Sequence, residues 1–387
     1  LVAVHEKAGS TPQVEAARRE ALQRAIATIR EALASEPLEV PLLRRLKELY
    51  EWSARGLDDP SDDGDDDDDD AAPAADAAAG ALVAGQLLGL AGEDVDVFPT
   101  RRRELRGILP VGFWSRLRVP GTTGFVAEIW PMLAAALGEL FPPNASLPNF
   151  SQLSGSSPRD RERIPPGTEP RLAWVEAAAI SFGVPALELW MPKKGSAGAD
   201  AGDESVMVVE GDSPGLLLAR GVLTGNAPAR FRVGRMLSLL RDRTFVLERV
   251  PAGELSAMLA AAAVVAGAPI PKVGAPAGLR ERARALSKAM SRKDRKALEL
   301  EVSRFLREVP DAAGFREAVL ATADRLGLIL AADVAVAVRV AGDFDLDREM
   351  GLTSAAIVDE ARVMTLVRFA LSDDYLVLKR EMGAGGS

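Results

Sequence analysis

The stretch Gly-Leu-Leu-Leu-Ala-Arg-Gly-Val-Leu-Thr-Gly at 215–225, followed by Phe-Arg-Val-Gly-Arg-Met-Leu-Ser-Leu-Leu at 231–240, decides the fold of the main domain. Residues 215–219 are β-prone and follow a Gly-Asp-Ser-Pro turn signal. Residues 227–241 have the apolar spacing of a helix, and Val233, Met236, Leu237 and Leu240 form the stripe of a buried one. The stretch predicts a short strand that leads into a buried helix.

The neighbouring segments extend this pattern in both directions. Before it, residues 172–182 predict a helix, and residues 186–191 and 206–209 predict strands. After it, the apolar spacing predicts helices over 252–266, 278–290, 291–307, 310–340 and 354–369. The sequence therefore predicts a mainly α protein with a small β-sheet, of the α+β class.

A second motif lies downstream, with the sequence Ala-Thr-Ala-Asp-Arg-Leu-Gly-Leu at 321–328. Together the motifs resemble zinc metallopeptidases of the HtpX/CAAX-prenyl-protease kind over residues 171–340. In that family a Gly-Leu-Leu segment leads to a His-Glu-x-x-His helix. A Glu-x-x-Ala-Asp-Arg-x-Gly helix carries the third zinc ligand. The resemblance implies that residues 231–240 and 316–328 are adjacent helices beneath a short sheet.

The positions of the zinc ligands depart from that family. The two histidines fall on Arg235 and Leu239, the catalytic glutamate on Met236 and the downstream glutamate on Leu320. A guanidinium is permanently cationic and leucine offers no lone pair, so these residues cannot hold zinc. The resemblance thus implies a degenerate former site without metal, cofactor or catalysis. We expect Arg235 to pair with Asp324 or Glu317, or to be exposed.

Composition excludes several other chemistries. The chain of 387 residues has no cysteine and one histidine, His5. Disulfides, thiolate zinc sites, iron–sulfur clusters and cysteine nucleophiles are therefore excluded. A Ser-His-Asp arrangement would need His5, which lies in what reads as an N-terminal tail.

The formal net charge of −9 comes from one segment. Ten aspartates lie between positions 58 and 70, and without them the acidic and basic side chains nearly balance. Residues 58–96 are read as a disordered linker rich in aspartate and alanine. Asp59, Ser61, Asp63 and Gly64 match the register of a calcium loop, but serine at the third position and aspartate at the twelfth favour a solvated linker. Asp343, Asp345 and Asp347 form a second candidate cation site, although Arg348 at the sixth position and Ser354 at the twelfth depart from the calcium-loop pattern.

The N-terminal residues 1–57 predict a helical hairpin. Leu22, Ile26 and Leu33 give the first helix an apolar face, and Pro37 separates it from the second. The hairpin resembles one tetratricopeptide-type repeat, although an ordinary hairpin has the same pattern. A single repeat cannot bury its own face without a neighbour. The chain as a whole resembles tetratricopeptide-containing proteins of myxobacterial type.

The remaining segments are a helical connector with a loop at 97–170 and the degenerate peptidase-like domain at 171–382. The arginines at 101–103 and 106 lack a second basic stripe and an aromatic platform, so we expect no nucleic-acid binding. No uninterrupted apolar run predicts a membrane span, and no export signal is visible, which favours a cytoplasmic protein. The first residue is leucine, which suggests a fragment or an alternative start codon.

Three functional hypotheses follow from these observations. The leading one is a non-catalytic protein-interaction or scaffold protein with a pseudo-metallopeptidase domain and other proteins as partners. The alternatives are a hydrolase that uses carboxylates such as Asp324 and Glu317 without zinc, and a cation-responsive regulatory module. The sequence does not fix the oligomeric state.

Overall fold

The computed structural model describes residues 12–55, 71–95, 105, 107–141, 159–193, 204–209, 215–271, 274–346 and 351–384. The calcium-loop register within 58–70, the arginines at 101–103 and 106, and Asp347 lie outside these residues. The chain divides into two units. The first comprises Leu1–Arg102 with Ala332–Arg380, and the second comprises Arg103–Ala331 with Glu381–Ser387.

Helices account for most of the described chain. In chain order they are α1 (Pro12–Leu33), α2 (Val40–Arg55), α3 (Ala71–Leu90), α4 (Val111–Leu117), α5 (Phe125–Leu140), α6 (Ala173–Ser181), α7 (Ala227–Arg241), α8 (Ala252–Val265), α9 (Leu279–Ala289), α10 (Arg292–Leu300), α11 (Val302–Phe305), α12 (Ala312–Ala331), α13 (Val334–Ala341), α14 (Ser354–Val358), α15 (Ala361–Ala370) and α16 (Asp373–Ala384). Short 3-10 helices lie at Pro170–Leu172, Arg220–Thr224 and Phe245–Glu248.

The second unit contains a small mixed sheet. Its strands are β1 (Arg161–Ile164), β2 (Glu188–Pro192), β3 (Val206–Val209) and β4 (Gly215–Leu218). The strand order is β1-β2-β4-β3, in which β2 and β4 are parallel and the two outer pairs are antiparallel. All four residues of β4 are buried, which explains its continuous apolar sequence. The predicted fold class, mainly α with a small sheet, is confirmed.

The first unit is built around α2 and α3. Leu43 and Leu46 of α2 and Leu87 and Leu90 of α3 are fully buried. A Cβ at Gly80 would lie 2.5 Å from the Tyr50 ring, so glycine permits the close approach of the two helices. Helix α3 is therefore the neighbour that the hairpin of α1 and α2 requires.

Two polar groups are buried near the end of the first unit. Tyr375 is fully buried, and the amine of Lys379 lies 5.8 Å from the centre of its ring. Neither the Tyr375 hydroxyl nor the Lys379 amine has a hydrogen-bond partner within the described part of the chain. Burial raises the pKa of Tyr375 and lowers the pKa of Lys379 to about 8.

The predicted disorder of residues 58–96 is wrong for positions 71–90, which form α3. Alanine and leucine have high helix propensity, and α2 supplies the apolar surface that an isolated segment lacks. Positions 73–90 of α3 are also long and apolar enough to cross a membrane by length and composition. Half of this stretch is buried inside the protein, so it gives no clear membrane span.

Other predictions also need correction. The predicted loop before residue 170 contains β1, a charged edge strand whose Arg161 lies over the Trp190 ring. The predicted helix at 310–340 breaks at Ala332, which has a φ of +56°, because Asp333 caps α13 by accepting a hydrogen bond from the Val336 amide at 3.0 Å. The helix predicted over 291–307 is similarly divided into α10 and α11.

The four predicted segments differ from the two units that the chain forms. Residues 332–380 belong with the N-terminal helices and not with the domain predicted at 171–382. Contacts within the first unit explain this division, since the Gln86 side chain accepts a hydrogen bond from the Val334 amide at 2.9 Å. Arg30 also pairs with Asp373 at 2.6 Å. These residue pairs are 248 and 343 positions apart in the sequence, so no local pattern could predict the contacts.

Candidate functional site

Helix α7 begins where the sequence predicts. Gly225 adopts a left-handed conformation with a φ of +58°, and Asn226 caps α7 by accepting a hydrogen bond from the Ala229 amide at 3.0 Å. Pro228 follows in the first turn, where its missing amide hydrogen costs no helical bond. The predicted bounds of this helix, 227–241, are confirmed.

Helices α7 and α12 are packed against each other at unusually short range. A Cβ at Gly327 would lie 2.7 Å from the Phe231 carbonyl oxygen, and one at Gly234 would lie 3.0 Å from the Leu326 carbonyl oxygen. Only glycine at both positions permits this approach of main chain to main chain. Helix α7 also contacts β3. The two motif helices are therefore adjacent, as the resemblance implies.

An ion-pair cluster surrounds Arg235 of α7. Arg235 Nε donates a hydrogen bond to Asp324 Oδ1 at 2.7 Å, and its Nη1 donates to Glu248 Oε1. The side chains of Asp324, Arg235 and Glu248 are 1%, 15% and 23% exposed. One cation thus lies between two anions, and of the three alternatives that the sequence left open for Arg235, the structure has the pairing with Asp324.

The other positions of the predicted former site do not join this cluster as ligands. Met236 and Leu239 are 7% and 0% exposed and belong to the apolar core. Leu320 is half-buried one turn before Asp324, and Glu317 is exposed. The structure therefore brings Arg235 and Asp324 together, whereas Glu317 makes no pair with Arg235.

Glu248 is the member of the cluster that sequence reasoning missed. It ends a 3-10 helix thirteen residues after Arg235, and no motif marks it. The same short helix is held from α12, because Arg316 Nε donates to the carbonyl oxygens of Leu247 and Val250 at 2.8 and 2.9 Å. Two arginines, one from α7 and one from α12, thus fix this segment.

The cluster has the features of a structural clamp. The buried Asp324 carboxylate is neutralised by a guanidinium, and removing one partner of such a pair typically costs about 3–5 kcal/mol. Zinc needs lone pairs from imidazole, thiolate or carboxylate groups that converge on one point. Among the described residues, no group of three histidines, cysteines, aspartates or glutamates could hold a metal ion.

The second candidate cation site is only partly described. Asp343 and Asp345 are exposed, and Asp343 has a φ of +54°. Asp345 uses its backbone carbonyl to accept a hydrogen bond from Arg339 Nη1 at 2.7 Å. Because Asp347 lies outside the described residues, this site stays a prediction.

The chain was compared with family models, curated proteins and solved structures, and none of them matches it. The resemblance to zinc metallopeptidases and to tetratricopeptide proteins therefore stays a prediction that depends on the motifs alone.

Proposed function

We propose that this chain is a non-catalytic scaffold protein that acts through contacts with other proteins. The observation that carries the proposal is the pairing of Arg235 with Asp324 and Glu248. A guanidinium stands where the resembling enzymes need a ligand, and its two carboxylates are engaged with it. These carboxylates are thereby used to join α7, α12 and the 3-10 helix.

The position of Asp324 also argues against a carboxylate hydrolase without zinc. Its side chain is 1% exposed and hydrogen-bonded to Arg235, which leaves little surface for a substrate. A general base must come within hydrogen-bond reach of the proton it removes. Glu317, the other carboxylate of that hypothesis, is exposed and makes no described pair with Asp324.

The proposed partners are other proteins, and the proposed location is the cytoplasm. Several large apolar side chains of the second unit are 62–95% exposed and would gain burial if a partner protein covered them: Ile108, Val111, Leu300, Leu306 and Val309. The nearly balanced charge outside the aspartate run gives no support for binding to nucleic acid.

Zinc content and proteolysis test the non-catalytic part of the proposal. The purified full chain, incubated with zinc and then desalted, should retain far less than one zinc per chain by mass spectrometry. It should not cleave unfolded casein in a manner that a chelator blocks. About one zinc per chain together with chelator-sensitive cleavage would overturn the proposal.

The variant Asp324→Asn separates a scaffold from a carboxylate hydrolase. The scaffold proposal expects a lower unfolding free energy and no change in the hydrolysis of a panel of ester and peptide substrates. An unchanged fold with a lost hydrolytic activity would support the hydrolase and contradict the scaffold.

The interaction part of the proposal requires a partner that is crosslinked in cell extract and then rebinds as a purified protein. Failure of every crosslinked candidate to rebind contradicts it.

A further inference from the structure

The second unit contains a cleft of about 640 Å³ that is separate from the Arg235 cluster. The first turn of α5, the C-terminal end of α7 and the first half of α12 line it, whereas Arg235, Glu248 and Asp324 do not. Its volume falls within the range of about 300–1,000 Å³ that is typical of small-molecule sites. The charge, hydrogen-bonding groups and apolar side chains of its lining indicate which class of ligand fits.

Two arginines that line the cleft share one carboxylate. Arg241 and Arg118 both pair with Asp242, at 2.8 and 3.7 Å. Burial lowers the pKa of Arg241, Asp242 offsets part of this effect, and the nearby Arg118 lowers the pKa further. The guanidinium of Arg241 is held in place over the Trp114 ring, at 3.7 Å from its centre.

The first turn of α5 faces the same space. Gly124 is the N-cap of α5, with a φ of +103° and no side chain to accept from the free amides of the first turn. The first amides of a helix favour an anion because they carry partial positive charge. Glu128 also lines the cleft, and its carboxylate is paired with Arg304.

A hydroxyl group adds a hydrogen-bonding side chain to the lining of the cleft. Ser238 lies in the last turn of α7, is 5% exposed and lines the cleft. A serine hydroxyl can donate one hydrogen bond and accept others, so it suits a polar group of a ligand.

Part of the lining of the cleft is apolar. Trp130 and Phe315 are 3% and 5% exposed, with ring centres 5.4 Å apart, and Val319 lies beside them. The Trp130 indole is fixed because Nε1 donates to the Arg243 carbonyl oxygen at 3.1 Å. This part of the lining offers a rigid surface for an apolar group of a ligand.

We propose that this cleft binds a small organic monocarboxylate. The carboxylate lies among Arg118, Arg241 and the first turn of α5, within reach of the Ser238 hydroxyl. The apolar body lies against Trp130 and Phe315. The cleft side chains comprise three arginines against Asp242 and Glu128, so their formal charge leaves one positive charge for one anion. A planar carboxylate also fits the fork of donors on a guanidinium.

Calorimetric titration of the full chain with octanoate tests this proposal. Octanol has the same apolar chain without the negative charge. Inorganic phosphate has negative charge without an apolar chain. We expect octanoate to bind at least about tenfold more tightly than octanol or phosphate, because only octanoate satisfies both the charged and the apolar parts of the lining. Equal binding of octanoate and octanol, tighter binding of phosphate, or no binding of octanoate would overturn the proposal.

Three variants locate the binding. Arg118→Gln and Ser238→Ala should each weaken octanoate binding, by about tenfold and about threefold. Arg116→Gln removes an exposed arginine on α4 that does not line the cleft, so it should leave the affinity unchanged. Circular dichroism establishes that each variant is folded. Unchanged affinity in both cleft variants, or an equal loss in Arg116→Gln, would place octanoate elsewhere and contradict the proposal.

Discussion

The helix pair α2–α3 of the first unit and the pair α7–α12 of the second unit approach closely by different means. In both pairs glycine makes room, but Gly80 faces a tyrosine ring, whereas Gly327 faces the backbone of Phe231. The α7–α12 pair also contains the ion pair of Arg235 and Asp324. A side chain can rotate away from a clash, whereas a backbone atom can move only if its helix moves with it, so the α7–α12 pair should tolerate fewer changes.

Breaking the ion pair should have the largest effect. Asp324→Ala leaves Arg235 without its most buried partner, and we expect the unfolding free energy to fall by about 3–5 kcal/mol. Urea denaturation followed by tryptophan fluorescence measures this, because four of the five tryptophans lie in the second unit. Glu308→Gln removes an exposed partner of Arg304 and should change stability by less than about 1 kcal/mol. Equal effects of the two variants would contradict the clamp.

The buried lysine should make stability depend on pH. Lys379 has a folded pKa of about 8 against an ordinary value of 10.5, because burial disfavours its charge. The unfolded chain therefore binds more protons between these values, and stability should rise with pH from about 8 by up to about 3 kcal/mol. Above about pH 10 the raised pKa of Tyr375 acts in the opposite direction.

Denaturation of Lys379→Met across pH 7–10 tests this dependence. The variant should be more stable than the parent at pH 7 and should lose the rise between pH 8 and 10. Lys47→Met, which removes a lysine paired with Glu51 on α2, should keep the rise. A rise that persists in Lys379→Met would assign the dependence to other groups.

Adding one methyl group tests the short approach of α7 and α12. In Gly327→Ala the new Cβ would lie 2.7 Å from the Phe231 carbonyl oxygen, so the helices must separate. We expect a loss of about 1–3 kcal/mol in urea denaturation. Gly253→Ala in the first turn of α8 adds a methyl where nothing lies within 4 Å and should not lower the stability. A neutral Gly327→Ala would show that the backbone contact is dispensable.

The same change in the first unit should have a smaller effect. Gly80→Ala places a Cβ against the Tyr50 ring, which can shift at the expense of local packing. We expect a loss of about 1 kcal/mol. The double variant Gly80→Ala/Tyr50→Leu should show less than the sum of the two single losses, because leucine leaves room for the methyl group. Strict additivity would contradict a direct contact between the two residues.

The pattern of the sequence predicts well where each element has its own local signal. Strand β3 and helix α7 have the predicted bounds, since a β-branched run and a capped amphipathic helix are both local features. Helix α3 was missed because alanine and glycine give no apolar period. Helix α3 is stabilised instead by packing against α2, where Tyr50 and Leu46 are buried.

The candidate site was predictable only in part, for a related reason. The sequence left Asp324 as one of three alternatives for Arg235, because two motifs indicated that their helices are adjacent. Glu248 and the cleft around Ser238 depend on where a connecting segment and three helix ends meet in space. No local sequence pattern predicts these contacts. The sequence also gives no signal for the left-handed conformation of Ala332.

Main-chain atoms at Gly327 and Phe231 set the separation of α7 and α12. Substitutions on the solvent-facing sides of the two helices should therefore leave their spacing unchanged. Substitutions at Arg235 or Leu239 differ, because they would disturb the buried ion pair or the apolar core that lies beside the glycine contact.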